Sequence, residues 1–242
     1  MRAEARHQLK EDRLSKATLE AAGKTADWAQ QNQTKLIAAI IGVIVVAAVA
    51  FGGWYYINSQ DEKASAELSA AVRTLETPLR PAGTPEQPGY ASFDSSLTRA
   101  TTARKQFQAI VDKYPSTRTG KMARYFLGIT AVQTGDNSAA ERYLQEAQGS
   151  SDAQIASLAK FALASVYRAE NKDAQAVDTY KQLIDKPTVA VSKVTAQLEL
   201  AGMYESQQKS DDAKKLYEQI QKENPSTEAA AVAQQRAAAL KK

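Results

Sequence analysis

The chain has 242 residues, with 31 Lys and Arg against 27 Asp and Glu, and a net charge of +4. It contains no cysteine, which excludes disulfide frameworks, thiolate zinc sites and cysteine nucleophiles. Its one histidine, His7, excludes three-histidine metal centres and most histidine-based triads, and the lack of a clustered basic run argues against a nucleic-acid surface.

Residues 1–35 form a polar tail of mixed charge, rich in helix formers but without a wide apolar stripe. It reads as a solvated cytoplasmic tail, with Trp28 placed to reach the headgroup level of a membrane.

Leu36 to Ile57, LIAAIIGVIVVAAVAFGGWYYI, carries no charge over 22 residues. About 20 apolar residues at a rise of 1.5 Å each cross a bilayer core, so the stretch reads as one transmembrane helix. Basic residues near its ends set its direction. Arg2, Arg6, Lys10, Arg13, Lys16, Lys24 and Lys35 precede it, whereas only Lys63 and Arg73 occur in Asn58 to Leu75. That asymmetry places the N-terminus in the cytoplasm and residues 58–242 outside. Trp54, Tyr55 and Tyr56, together with Trp28, read as the aromatic membrane belt. Ala48-Val49-Ala50 has the form of a signal-peptidase site, but the long polar segment before it and the apolar run beyond it favour an uncleaved span. Ala38 and Gly42, like Ala48 and Gly52, are four residues apart, a spacing that lets a second span approach.

Residues 58–97 read as a connector. Ser59 to Thr77 has a helical period, with Ala64, Leu68, Ala71, Val72 and Leu75 on one face; Asp61 and Glu62 suit a first turn, and the alternative is a helix that continues from the span. Pro78, Pro81, Pro85 and Pro88 then exclude a helix, so 78–95 reads as an exposed loop.

Residues 98–242 repeat. Ala103, Phe107 and Ile110 recur as Ala140, Leu144 and Ala147, then Ala176, Tyr180 and Leu183, then Ala213, Tyr217 and Ile220; the alanines fall 36 or 37 residues apart. A preceding helix repeats as Leu127-Gly128, Leu163-Ala164 and Leu200-Ala201. Short polar turns join the two helices of each unit, Ser138 and Glu141 have capping-box spacing, and Pro115, Pro187 and Pro225 stop three of the second helices. One such pair cannot bury its own apolar face, so the pairs must stack. STEAAAVAQQRAAALKK reads as a terminal capping helix.

This pattern resembles the tetratricopeptide repeat, whose usual period is about 34 residues. The position that its consensus gives to tryptophan is held here by Arg124, Lys160 and Gln197. The expected fold is therefore all-α: one transmembrane helix followed by an α-solenoid of helix pairs. Stacked pairs make an extended face lined by the first helix of each. By helical position that face carries Tyr125, Ile129, Phe161, Ser165, Arg168, Gly202 and Glu205 as the candidate partner-binding groove, with Tyr125 and Phe161 as anchors or, alternatively, as core between repeats.

The residues flanking the span carry a second resemblance. Trp28, Asn32, Trp54, Tyr56, Asn58, Ser59, Ala64, Ser65 and Ala66 are similar to the start of a bacterial inner-membrane family, that of the ancillary Sec-translocon subunit and its cell-division-coordinator relatives. The resemblance implies a cytoplasmic tail, one span and a periplasmic repeat domain that binds the translocon, periplasmic chaperones or client chains. The alternative is a structural protein of the cell envelope that self-associates. No P-loop, nucleophile elbow, metalloprotease motif or dinucleotide fingerprint occurs, so no enzyme and no cofactor is expected.

Overall fold

The computed structural model describes residues 32–85 and 91–240. Among these, nine helices form: α1 (Gln33–Glu76), α2 (Ser96–Lys113), α3 (Arg118–Gln133), α4 (Asn137–Gln148), α5 (Ala153–Ala169), α6 (Asp173–Asp185), α7 (Lys193–Ser206), α8 (Ser210–Glu223) and α9 (Glu228–Ala239). The chain divides into two units, Met1–Tyr56 and Ile57–Lys242, with α1 running through the boundary.

In the first unit, α1 is long and apolar enough to cross a membrane, and its most apolar 18-residue window is 0% buried. A soluble core helix would be covered by its own chain; this one shows Ile40, Val43, Val46 and Val49 to the outside.

In the second unit, the continuation of α1 is the first element of the stack. Ala64 and Ala71 are fully buried and cluster with Ala103, Phe107 and Ile110 of α2 and with Ala123 and Leu127 of α3; Leu68, Val72 and Leu75 pack beside them. Their spacings of three, four and seven residues put them on one helical face. Glu67 accepts hydrogen bonds from Lys113 Nζ at 2.7 Å and Tyr114 Oη at 2.8 Å. Asp61 lies inside α1, which runs on unbroken from the apolar stretch, and does not open a separate helix. Its carboxylate accepts from the Thr119 amide at 2.7 Å, in the first turn of α3, so it satisfies an otherwise orphan donor of a different helix.

The proline loop joins α1 to α2 and is closed at its neck. Phe93 donates its amide to Pro78 O at 3.2 Å and Arg80 to Phe93 O at 2.7 Å. The Arg99 guanidinium also donates to Thr77 O at 2.9 Å.

The pairs α3/α4, α5/α6 and α7/α8 follow, with α9 as a cap. The same turn closes each pair. Asp136, Lys172 and Lys209 donate their amides to Ala131, Tyr167 and Tyr204 at 2.8–2.9 Å, and the residue before each donor is left-handed: Gly135, Asn171 and Gln208, with φ of 77°, 58° and 59°. This is a Schellman closure, which satisfies the last carbonyls of the first helix. Asp136 then caps α4, accepting from the Ala139 amide at 3.1 Å. The expected capping box at Ser138 and Glu141 does not form, because α4 already starts at Asn137 and Glu141 is engaged by Lys172 Nζ at 2.6 Å. The prolines stop the second helices as expected: Tyr114, Lys186 and Asn224, each preceding a proline, are their C-caps.

The core lies between the paired helices. Phe107, Leu144, Tyr180 and Tyr217, at one repeated position, are at most 2% exposed. Each such side chain contributes about 1.5–3 kcal/mol by burial. Gly128 permits a close crossing of α3 and α4, since a Cβ there would lie 2.5 Å from Leu144 Cγ. Ion pairs join neighbouring repeats, Arg104–Asp136 at 2.9 Å, Arg118–Asp152 at 2.5 Å and Lys172–Glu141 at 2.6 Å, and Lys193–Glu223 at 2.9 Å joins the two helices of the last pair. Most have solvent-exposed partners and are worth roughly 1 kcal/mol or less each, so they fix register more than stability.

Candidate interaction groove

Along the first helices of the pairs, residues spaced i, i+4 and i+7 share one face. In α3 these are Tyr125, Ile129 and Val132; in α5, Phe161, Ser165 and Arg168; in α7, Leu198, Gly202 and Glu205. The structure gathers the seven sequence-predicted groove residues into two depressions.

The first lies between α3 and α5 and has a volume of about 420 Å³. Tyr125, Ile129, Phe161 and Ser165 line it together with Val132, Gln133, Asn137 and the wall of α5 at Ala162, Val166 and Ala169; none of them is charged. Tyr125 and Phe161 are half-buried and pack on the core from its edge. Phe161 meets Tyr180 edge to face at 6.0 Å, and Tyr125 meets Phe126 at 5.2 Å. Both aromatics therefore serve as core edge and as depression lining. Burial pushes the Tyr125 phenol above its ordinary pKa, so it stays protonated as a donor at neutral pH. Tyr180, buried beneath the face, is raised for the same reason; its hydroxyl lies 3.5 Å from Ser165 Oγ.

The second depression, about 280 Å³, takes in Arg168, Gly202 and Glu205 with Leu198, Glu199, Tyr217, Val232 and Arg236. Its four charges pair across repeats: Arg168 with Glu199 at 3.4 Å and Arg236 with Glu205 at 3.1 Å. Burial, with the Glu205 carboxylate beside it, pushes Tyr217 up to about 12. Val132 and Leu198 sit in the register that identified their neighbours and were legible by it. Tyr217 comes from a second helix and Arg236 from the cap, so only the fold brings them in.

Of the belt residues, Trp54, Tyr55 and Tyr56 are 61–65% exposed. Consecutive helical residues point about 100° apart, so these three rings fan over about 200° of the circumference of α1 at one level. Trp28 lies outside the described residues. No group of three or more His, Cys, Asp or Glu side chains is arranged to hold a metal among the described residues.

Paired helices with left-handed turns, small residues at the crossings and proline stops define a helical-repeat protein whose lined face is its working surface. The chain belongs to the family described as the tetratricopeptide repeat-like domain, whose model matches residues 26–187, the apolar part of α1 included. A second model, described as tetratricopeptide repeat, matches residues 195–227, which take in all but the start of α7, the whole of α8 and the terminal Pro225. Such domains are protein-interaction modules, and neither match is to an enzyme family. No curated protein matches the chain.

Proposed function

We propose that this chain is a single-pass membrane protein of the bacterial inner membrane, with its N-terminus in the cytoplasm and its repeat unit in the periplasm, acting there as a protein-interaction scaffold. The uncovered apolar half of α1 supports the tether, and seven basic residues before the span against two in Asn58 to Leu75 after it support the direction. The exposed cluster of Trp54, Tyr55 and Tyr56 supports an interfacial level at the outer end of the span.

The observation that carries the interaction role is the uncharged depression of Tyr125, Ile129, Phe161 and Ser165. Apolar, half-buried aromatic pockets are where binding energy concentrates. The resemblance of the flanks of the span to the ancillary Sec-translocon family makes the translocon, periplasmic chaperones or client chains the expected partners. Crosslinking in intact cells, followed by purification of the full chain, tests this. Translocon subunits and client chains are expected, and Ile129→Glu should reduce their recovery at least five-fold. Ile129 lies outside the packed cluster that includes Tyr125 and Phe161, so the variant should keep its melting temperature. Recovery of self or cell-wall machinery alone would support the envelope-assembly alternative instead. Unchanged partner recovery with Ile129→Glu would remove the groove from the proposal.

A further inference from the structure

The groove-facing position that follows the small crossing residue narrows along the stack. It is Ile129 in α3, Ser165 in α5 and Gly202 in α7. Gly128 and Gly202, both in first helices of pairs, differ in what demands them. At Gly128 a Cβ would strike Leu144, so the fold requires glycine there. At Gly202 a Cβ would meet nothing within 4 Å, although the residue is half-buried and lines the second depression. A glycine within a helix costs stability relative to alanine, and no contact inside the chain accounts for this one. An open glycine at the floor of a depression is what close approach of another backbone needs.

The electrostatics select what approaches. The first depression holds no charged residue, and the second holds two arginines and two glutamates already paired with one another. A charged segment entering here would lose hydration without gaining a free counter-charge; an uncharged one would not.

We infer that the face binds an uncharged polypeptide segment, with apolar side chains in the depression between α3 and α5 and its backbone laid over Gly202. Helices in packing contact lie about 10 Å apart. An extended chain advances about 3.3 Å per residue. A segment of roughly six residues therefore covers two such spacings. This inference rests on the groove reading above and adds the class of partner and its contact at α7.

The test uses the full chain in lipid nanodiscs and three fluorescein-labelled, end-blocked dodecapeptides, with empty nanodiscs as the blank. The first peptide contains only Leu, Phe, Ser and Gly; the second and third carry two central Glu or two central Lys. Anisotropy should give a Kd at least ten-fold tighter for the uncharged peptide. Gly202→Phe should weaken that binding at least ten-fold while thermal unfolding stays within a few degrees of the parent, and Gly202→Ala should weaken it less. Equal binding of the charged peptides overturns the inference, as does unchanged binding to Gly202→Phe. If Ile129→Glu abolishes binding and Gly202→Phe does not, the groove stands and the contact at α7 falls. If neither variant changes binding, or none of the peptides binds above the blank, the groove reading falls with it.

Discussion

The same substitution, Gly→Ala, at two positions of equivalent helices should have opposite effects on stability. In an unhindered helix interior the change gains about 0.5–1 kcal/mol, because glycine loses more backbone freedom on folding. At Gly202 the new methyl group enters open space, so that gain should appear in full. At Gly128 the methyl group would lie 2.5 Å from Cγ and 2.6 Å from Cδ2 of the fully buried Leu144. Leu144 can move only by leaving its rotamer against Ala159 and Leu163 or by separating α3 from α4. Overpacking of this kind costs about 1–3 kcal/mol. The helix-propensity term is common to both variants, so the difference between them isolates the clash, about 1–3 kcal/mol. Thermal unfolding followed by far-ultraviolet circular dichroism, at equal protein and lipid concentration, measures it. Gly202→Ala should melt above the parent and Gly128→Ala below it, several degrees apart. If Gly128→Ala melts at or above Gly202→Ala, the close crossing of α3 and α4 at Leu144 is misassigned.

Further outcomes follow from individual contacts. Asp136, Asp152 and Glu223 are held below their ordinary values of 3.8, 3.8 and 4.5, chiefly by hydrogen bonds from Arg104, from Arg118, and from Gln219 with Lys193, respectively. Their contribution is complete above those ordinary values and is lost as pH falls through the lower folded-state values. The midpoint in urea should therefore be flat from pH 7 to pH 5 and decline below about pH 4. Gln208 adopts φ of 59°, where a side chain is strained, so Gln208→Gly should stabilise by about 1 kcal/mol; the same change at Asn171 should do less, since asparagine tolerates this region. Asp61→Ala should cost about 0.5–2 kcal/mol by leaving the Thr119 amide without its partner, and hydrogen exchange at the first turn of α3 should accelerate.

The repeats were legible because the fold reuses one local solution. Alanine, an aromatic or leucine, and an aliphatic at fixed spacing made each second helix recognisable, and the prolines marked where most of them stop. What escaped the sequence was not local. The second half of α1 completes a pair with α2, but the inserted loop breaks the 36–37-residue period that would have shown it. Asp61 looked like a helix start because its partner, Thr119, is 58 residues away. The box at Ser138 lost to Asp136, two residues earlier, which captured the cap. The groove was read as one face from helical register, yet it is two depressions of different character. The pairing of Arg168 with Glu199 and of Arg236 with Glu205, which makes the second one polar but neutral, depends on side chains that meet only when repeats stack.

The neck of the proline loop has a consequence for how this chain can be handled. Thr77, Pro78 and Arg80 are tied to Phe93 and Arg99 by hydrogen bonds on both sides, so the ends of the loop are held together whatever lies between them. Lengthening a loop whose ends are already closed costs only about 0.6 kcal/mol per doubling. That makes the segment between Pro81 and Ser92 a port of entry. A reporter peptide or fluorescent tag inserted there would leave the first pair of helices and the groove intact, and would allow the protein to be followed without altering the surface it presents.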